Sequence, residues 1–173
     1  IPFAGKFATE QCGVLYIENE TPESDMQRRG RQLGFHEVEN NLWIMGSSHD
    51  GLNLNDQATV DQLLEITTQK NIHMVFIDTL RSIAGGLREE KAEEVRAFFN
   101  RFRKFANNGV TVVFIDHCRK PHPLESKSIP KKEQLLGSQD KMAAVEALIM
   151  LRSERDNQDI YLLFFNYCCA YSG

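Results

Sequence analysis

Three short apolar runs in this sequence end in side chains fit for chemistry. Val14-Leu15-Tyr16-Ile17 leads into Glu18-Asn19-Glu20, Met74-Val75-Phe76-Ile77 into Asp78, and Val110–Ile115 into Asp116-His117-Cys118-Arg119-Lys120. An ionised carboxylate at a strand tip can hold Mg²⁺ directly or through water, which makes Asp78 a metal-site candidate. A second carboxylate can orient and deprotonate a water that attacks phosphorus. Glu20 is the candidate for that work, and Glu18, two residues earlier, shares one side of an extended tip with it. His117 can donate to a terminal phosphate and report whether it is there. Each has a plain alternative: Asp78 as a helix or turn cap, Glu18-Asn19-Glu20 as a solvated loop, and His117 as a structural hydrogen-bonding residue. The four apolar residues before Asp78 complete the Walker B pattern, a weak signal when it stands alone.

Continuous apolar runs of this length predict strands buried on both faces, as in parallel sheets. Ligands of such sheets bind beyond the carboxyl ends of the strands, where all three tips lie. Between the runs the helix signals are clear. Thr21-Pro22-Glu23 predicts a helix start with Thr21 as cap and Pro22 at the first helical position, and Gly34 as its stop. Asn41–Met45 predicts a short edge strand. Asp56 predicts the cap of a helix to about Lys70, with the stripe Val60, Leu63, Leu64, Thr67 at helical spacing. Ser82–Leu87, with Gly85-Gly86, reads as a loop.

Residues 88–107 predict one helix, whose Ala92, Val95, Phe98, Phe99, Phe102 and Phe105 form an apolar face. Phenylalanines at that spacing are core rather than a base-stacking set. A long loop over 118–137 carries Arg119, Lys120, Lys127, Lys131 and Lys132, either an ordinary solvated loop or a strip for phosphate backbone. Ser138 then caps a short helix, Val145–Leu151 is a strand, Arg155–Gln158 a turn, and 160–167 a last strand. The alternation gives one three-layer α/β domain with a mostly parallel central sheet.

Bulk properties exclude several classes. A chain of 173 residues with 42% hydrophobic and 25% charged residues can build one sizeable core. A net charge of -4 does not announce a nucleic-acid protein, though it leaves room for a local basic surface. No apolar stretch approaches the roughly 18 residues of a membrane span, and no signal peptide is recognisable. The four cysteines, Cys12, Cys118, Cys168 and Cys169, show no metal-like spacing and read as reduced thiols of a cytoplasmic protein.

In order, these residues reach a family. The stretch VLYIENETPESDMQRRGRQLG resembles the segment after the first helix of RecA-like ATPases. MVFIDTLRSIAGGLREEKAEEVRAFFNRFRKFANNGVTVVFIDHCRKP resembles the Walker B-to-sensor segment of the RepA-type branch, the hexameric replicative helicases and their AAA-domain relatives. LLGSQDKMAAVEALIMLR is similar to that branch's next segment, and the whole resemblance covers roughly residues 14–152. It implies that Glu20 activates the hydrolytic water, that Asp78 is the Walker B aspartate on Mg²⁺, and that His117 is the polar sensor. It also implies that Arg152 reaches a neighbouring subunit's nucleotide, that ATP and Mg²⁺ are the cofactors, and that the loops after Asp78 and His117 face DNA in a ring.

One departure is large. No G-x-x-x-x-G-K-[ST] occurs; Gly5-Lys6-Phe7 comes nearest, but Phe7 replaces the hydroxyl needed for Mg²⁺. The expectation is therefore that the P-loop, its strand and its helix lie upstream of Ile1. The 173 residues alone are then expected to bind ATP no better than millimolar, to hydrolyse none, and to self-associate as a dimer through uncovered strand edges. Two other readings stand beside this one: a regulatory or assembly module that truly lacks a P-loop, and an unrelated doubly wound domain binding a small phosphorylated ligand.

Overall fold

A computed structural model of the chain describes residues 8–35, 41–46, 52–117, 139–153 and 160–166. The first run forms strand β1 (Gly13–Glu18), followed by helix α1 (Glu23–Gln32) and strand β2 (Leu42–Met45). Helix α2 (Gln57–Gln69), strand β3 (Ile72–Asp78) and the single-turn helix α3 (Leu80–Ile83) come next. Helices α4 (Ala92–Arg101) and α5 (Arg103–Asn107) lead to strand β4 (Thr111–Ile115). Helix α6 (Gln139–Ala144) and strands β5 (Ala147–Ser153) and β6 (Ile160–Asn166) complete the described chain.

The first four strands make one parallel sheet in the order β2-β1-β3-β4. This is the α/β, three-layer RecA-like arrangement that the alternation of runs predicts. The path of the chain fixes where a ligand site can form. From β1 it steps outward to β2, then returns across β1 to β3 and continues to β4. Right-handed crossovers in opposite directions send α1 to one face and α2 to the other. The strand order therefore reverses between β1 and β3, the place beyond whose carboxyl ends open sheets of this kind bind ligands.

Only one face of β1 and β3 is fully buried. Leu15, Ile17, Val75 and Ile77 point to it, where α2 brings Val60 and Leu63. Each such aliphatic side chain contributes ~2 kcal/mol by leaving water. Phe114 extends this face on β4, where the ring of Phe102 meets it edge-on at a centroid distance of 5.0 Å. On the opposite face Val14, Tyr16, Met74 and Phe76 are half-buried. The expectation of strands buried on both faces is corrected here: β1 alternates instead, because the described elements cover its second face only in part. Gly13 is required at the start of β1, since a Cβ there would lie 2.3 Å from the Asn71 carbonyl oxygen.

Several local expectations also change. Pro22, not Thr21, occupies the N-cap of α1, without a side-chain cap hydrogen bond. Pro22 has a φ of -56° and a ψ of 143°, so the helix starts one residue later than the Thr-Pro signal suggests. Gly34 ends α1 as expected, with a φ of 75° that favours glycine. The loop expected over Ser82–Leu87 begins only at Ala84, because Ser82 and Ile83 belong to a capped helical turn in which the Thr79 side chain accepts from the Ser82 N–H and the Ser82 side chain accepts from the Thr79 N–H. The long helix over 88–107 is instead α4 and α5, separated at Phe102. Its apolar face survives the break: Val95, Phe98, Phe99, Phe102 and Phe105 are all buried, as core.

The chain divides into two compact units. The parallel sheet with α1, α2, α3 and α5 makes up one. The other holds α4 up to Asn100, the residues after Ile115, α6 and an antiparallel β5–β6 pair. In this second unit Arg88 pairs with Glu94 and the ring of Phe98 meets Phe99 edge-on. Among the described residues no helix is long and apolar enough to cross a membrane.

Candidate functional site

The parallel register of β1 and β3 sets Tyr16 beside Phe76 and Glu18 beside Asp78. Side chains two apart on a strand share a face, so Tyr16, Glu18 and Asp78 share one. The phenol of Tyr16 runs along that face and its hydroxyl donates to Asp78 Oδ2. Burial first, and then the hydrogen bond to Asp78 and the charges of Asp78 and Glu18, push the Tyr16 pKa well above the usual phenol value. The phenol thus stays protonated and serves as a fixed donor.

Glu18 and Glu20 play different parts. Glu18 is 4% exposed and its carboxylate folds back onto its own chain. Oε1 accepts from the N–H groups of Glu20 at 2.7 Å and Thr21 at 2.8 Å, and Oε2 also lies 2.8 Å from the Thr21 N–H. Glu18 is therefore a backbone clamp for the turn that carries Glu20. Glu20 itself is exposed, and its Oε1 accepts from the Thr79 hydroxyl at 2.7 Å.

Two further bonds stitch the same tips together. The Asn19 N–H donates to the Asp78 carbonyl oxygen at 3.2 Å, and the Asn19 side-chain amide to the Ser82 carbonyl oxygen at 3.5 Å. Thr79 is 2% exposed and, with Ser82, closes the capping box of α3. Glu20 and Asp78, 58 residues apart in sequence, thereby meet through a single threonine at the reversal of strand order. Sequence reasoning missed Tyr16, Thr79 and Ser82. Tyr16 carried a signal, since it precedes Glu18 by two residues and must share its face; Thr79 and Ser82 show their roles only once the capped turn is seen.

The donor set suits a hard cation. Carboxylate and hydroxyl oxygens are the ligands Mg²⁺ prefers, and it takes one or two carboxylates with waters and phosphate oxygens completing the shell. Among the described residues no group of three or more His, Cys, Asp or Glu could hold a metal by itself. Asp78, with Tyr16 on one oxygen and the other available, fits that minimal use.

In the second unit the residues after β4 are arranged otherwise. His117 is exposed, and its backbone N–H donates to Asp116 Oδ1 at 2.9 Å. Asp116 Oδ2 lies 2.7 Å from the Lys141 ammonium, which also reaches Glu89 Oε2 at 3.1 Å. The Lys141 side chain is 3% exposed, so this is a three-charge cluster around a buried ammonium, and Lys141 was missed in the sequence. Arg152 lies in β5 opposite Tyr161 of β6. Arg119, Lys120, Lys127, Lys131 and Lys132, together with Gly5-Lys6-Phe7, Ser138, Arg155–Gln158 and Cys168-Cys169, lie outside the described residues.

A family model described as AAA domain matches residues 1–123 of the sequence. No curated protein matches it.

Proposed function

The chain belongs to the AAA domain family, ATPase-type domains of the P-loop, RecA-like class, and on that premise we propose that Glu20 is the water-activating base and Asp78 the magnesium-anchoring carboxylate of an ATP-hydrolysing site. The observation that carries this reading is the Thr79 hydroxyl on Glu20 Oε1, 2.7 Å away, immediately after Asp78. It joins the base candidate, just after β1, to the metal candidate at the end of β3, at the reversal of strand order where such sheets take ligands.

Each residue then has a definite task. Glu18 holds the N–H groups of Glu20 and Thr21, which fixes the height of the turn. Thr79 holds Glu20 Oε1, which leaves Oε2 to accept a proton from water. Tyr16 holds Asp78 Oδ2, which leaves Oδ1 for the cation. Mg²⁺ at Asp78 would neutralise phosphate charge and polarise phosphate oxygens. The imidazole of His117 donates to a terminal phosphate oxygen, and Arg152 reaches the nucleotide of a neighbouring subunit. No G-x-x-x-x-G-K-[ST] cradle occurs in the 173 residues, so in this reading they bind ATP at millimolar Kd or weaker by calorimetry.

The deciding experiment compares hydrolysis and ATP binding of parent and variants in the full polypeptide. Glu20→Gln lowers hydrolysis by at least ~10²-fold while ATP binding is kept. Asp78→Asn weakens the Mg²⁺-dependent part of ATP binding. Turnover of Glu20→Gln at the parent rate would remove Glu20 from the base role.

DNA is the partner we infer, engaged by a ring or filament of the helicase or recombination type. The support is the basic run Arg119, Lys120, Lys127, Lys131 and Lys132 in an otherwise acidic chain. Neutralising the last three lowers DNA affinity and flattens its log–log salt slope by about 0.9 per lost phosphate contact; an unchanged slope excludes the run from contact. Self-association has its own support. Among the described strands β4 pairs only with β3 and β5 only with β6, and open edges recruit further strands. Light scattering that finds a monomer removes that part.

A further inference from the structure

We propose that Tyr16 is a positioning residue for Asp78: its hydroxyl selects which carboxylate oxygen faces the cation and so sets metal affinity. The inference rests on the reading of Asp78 as the Mg²⁺ anchor and goes beyond it, to a residue that never touches the metal.

The geometry makes the assignment. Tyr16 and Asp78 lie on adjacent parallel strands, on one face, in diagonal register, since Tyr16 pairs with Phe76 and Glu18 with Asp78. A tyrosine is long enough to span that diagonal, and the Tyr16 hydroxyl donates to Asp78 Oδ2. The ring is held in turn by Phe76, with centroids 6.1 Å apart and planes at 30°. Its direction is therefore set by packing before any ligand arrives. A phenol donor on a carboxylate is a charge-assisted bond, stronger than a neutral pair, yet it adds no positive charge. Asp78 keeps its full negative charge while losing the freedom to rotate. Outer partners that orient a metal ligand in this way typically change affinity by about 10- to 100-fold when removed.

Tyr16→Phe is the matching probe, because it keeps the ring against Phe76 and removes only the hydroxyl. The measurement is Mn²⁺ binding, read by electron paramagnetic resonance, to the full polypeptide with ATP present. Tyr16→Phe is expected to weaken Mn²⁺ binding by about 10-fold, with binding of metal-free ATP unchanged. In the Asp78→Asn background Tyr16→Phe is expected to have no further effect on Mn²⁺, since the hydroxyl acts only through the carboxylate. A purely structural tyrosine would instead lower Mn²⁺ binding equally in both backgrounds, and that result overturns the proposal. So does a Tyr16→Phe protein whose Mn²⁺ affinity matches the parent while Asp78→Asn abolishes it. If Asp78→Asn itself leaves Mn²⁺ binding intact, it is the reading of Asp78 that fails, and the role of Tyr16 falls with it.

Discussion

Asp78 and Glu20 are held by hydroxyl groups, those of Tyr16 and Thr79, whereas Asp116 and Glu89 are held by the ammonium of Lys141. The two arrangements orient carboxylates equally well and differ in what they leave behind. A hydroxyl fixes an oxygen without cancelling its charge, so the β1 and β3 tips keep the negative charge that a cation and a proton-accepting base require. A buried ammonium offsets one of the two negative charges and occupies an oxygen of each carboxylate, so Asp116 and Glu89 already share a cation. Sharing a motif-like position at a strand end, as Asp78 and Asp116 do, is therefore a poor guide to chemistry. The identity of the donor that holds each carboxylate is what differs between the proposed site and the Lys141 cluster.

The strongest way to break this comparison is to remove the ammonium. Lys141→Met strands two carboxylates, 11% and 22% exposed at the side chain, without their cation. Removing one partner of a buried pair typically costs 3–5 kcal/mol, and the partial exposure of Glu89 puts the expected loss near ~3 kcal/mol. Urea unfolding of parent and variant measures it. A shift smaller than about 0.5 kcal/mol, the usual range for surface changes, would mean that water already screens Asp116 and Glu89, and the contrast with Asp78 would dissolve.

A smaller effect is expected where neutral donors do the holding. Glu18 is buried and takes backbone N–H groups on both oxygens. Glu18→Gln is nearly isosteric but turns one acceptor into an NH₂ donor facing N–H groups. One unsatisfied buried pair costs ~2 kcal/mol, which equilibrium unfolding reads directly. The same change should loosen the turn bearing Glu20, so amide exchange at Glu20 and Thr21 rises more than at β3. Protection that is unchanged at those two amides would show that the clamp is not what positions Glu20.

Much of this was legible beforehand. The runs ending at Glu18, Asp78 and Ile115 became the parallel strands, and the Phe98–Phe105 stripe became core, because burial of apolar periodicity decides both. Glu20 and Asp78 stood out because ionisable groups at strand ends are chemically conspicuous. The clamps did not. Tyr16 reads as one more apolar strand residue, Thr79 as a residue after a motif, and Lys141 as one charge on a short helix. Their roles depend on register between strands and on contacts far apart in sequence, neither of which a one-dimensional pattern encodes. Burial on both faces failed as an expectation for the same reason: the run of apolar letters does not say how much of each face its partners cover.

The smallest expected effect isolates what neutral donors achieve in full solvent. Asp56 caps α2, and its Oδ2 accepts from the Thr59 N–H and the Thr59 hydroxyl, each at 2.9 Å. The Thr59 N–H first, and its hydroxyl second, hold the Asp56 pKa below the usual aspartate value. A carboxylate with a depressed folded pKa contributes stability above its unfolded pKa of about 3.9, and loses it as pH falls through the folded value. Asp56→Asn retains a capping oxygen but no charge, so it keeps the cap and drops the acid sensitivity. Thermal melts should therefore place the two proteins within about 2 °C of each other at pH 7. Below pH 4 the parent should lose its advantage while the variant's contribution stays level. Parallel pH profiles for the two would show that hydroxyl and amide donors, even on an exposed carboxylate, do not discriminate between its charged and neutral forms, and the distinction drawn between Asp78 and Asp116 would lose its physical basis.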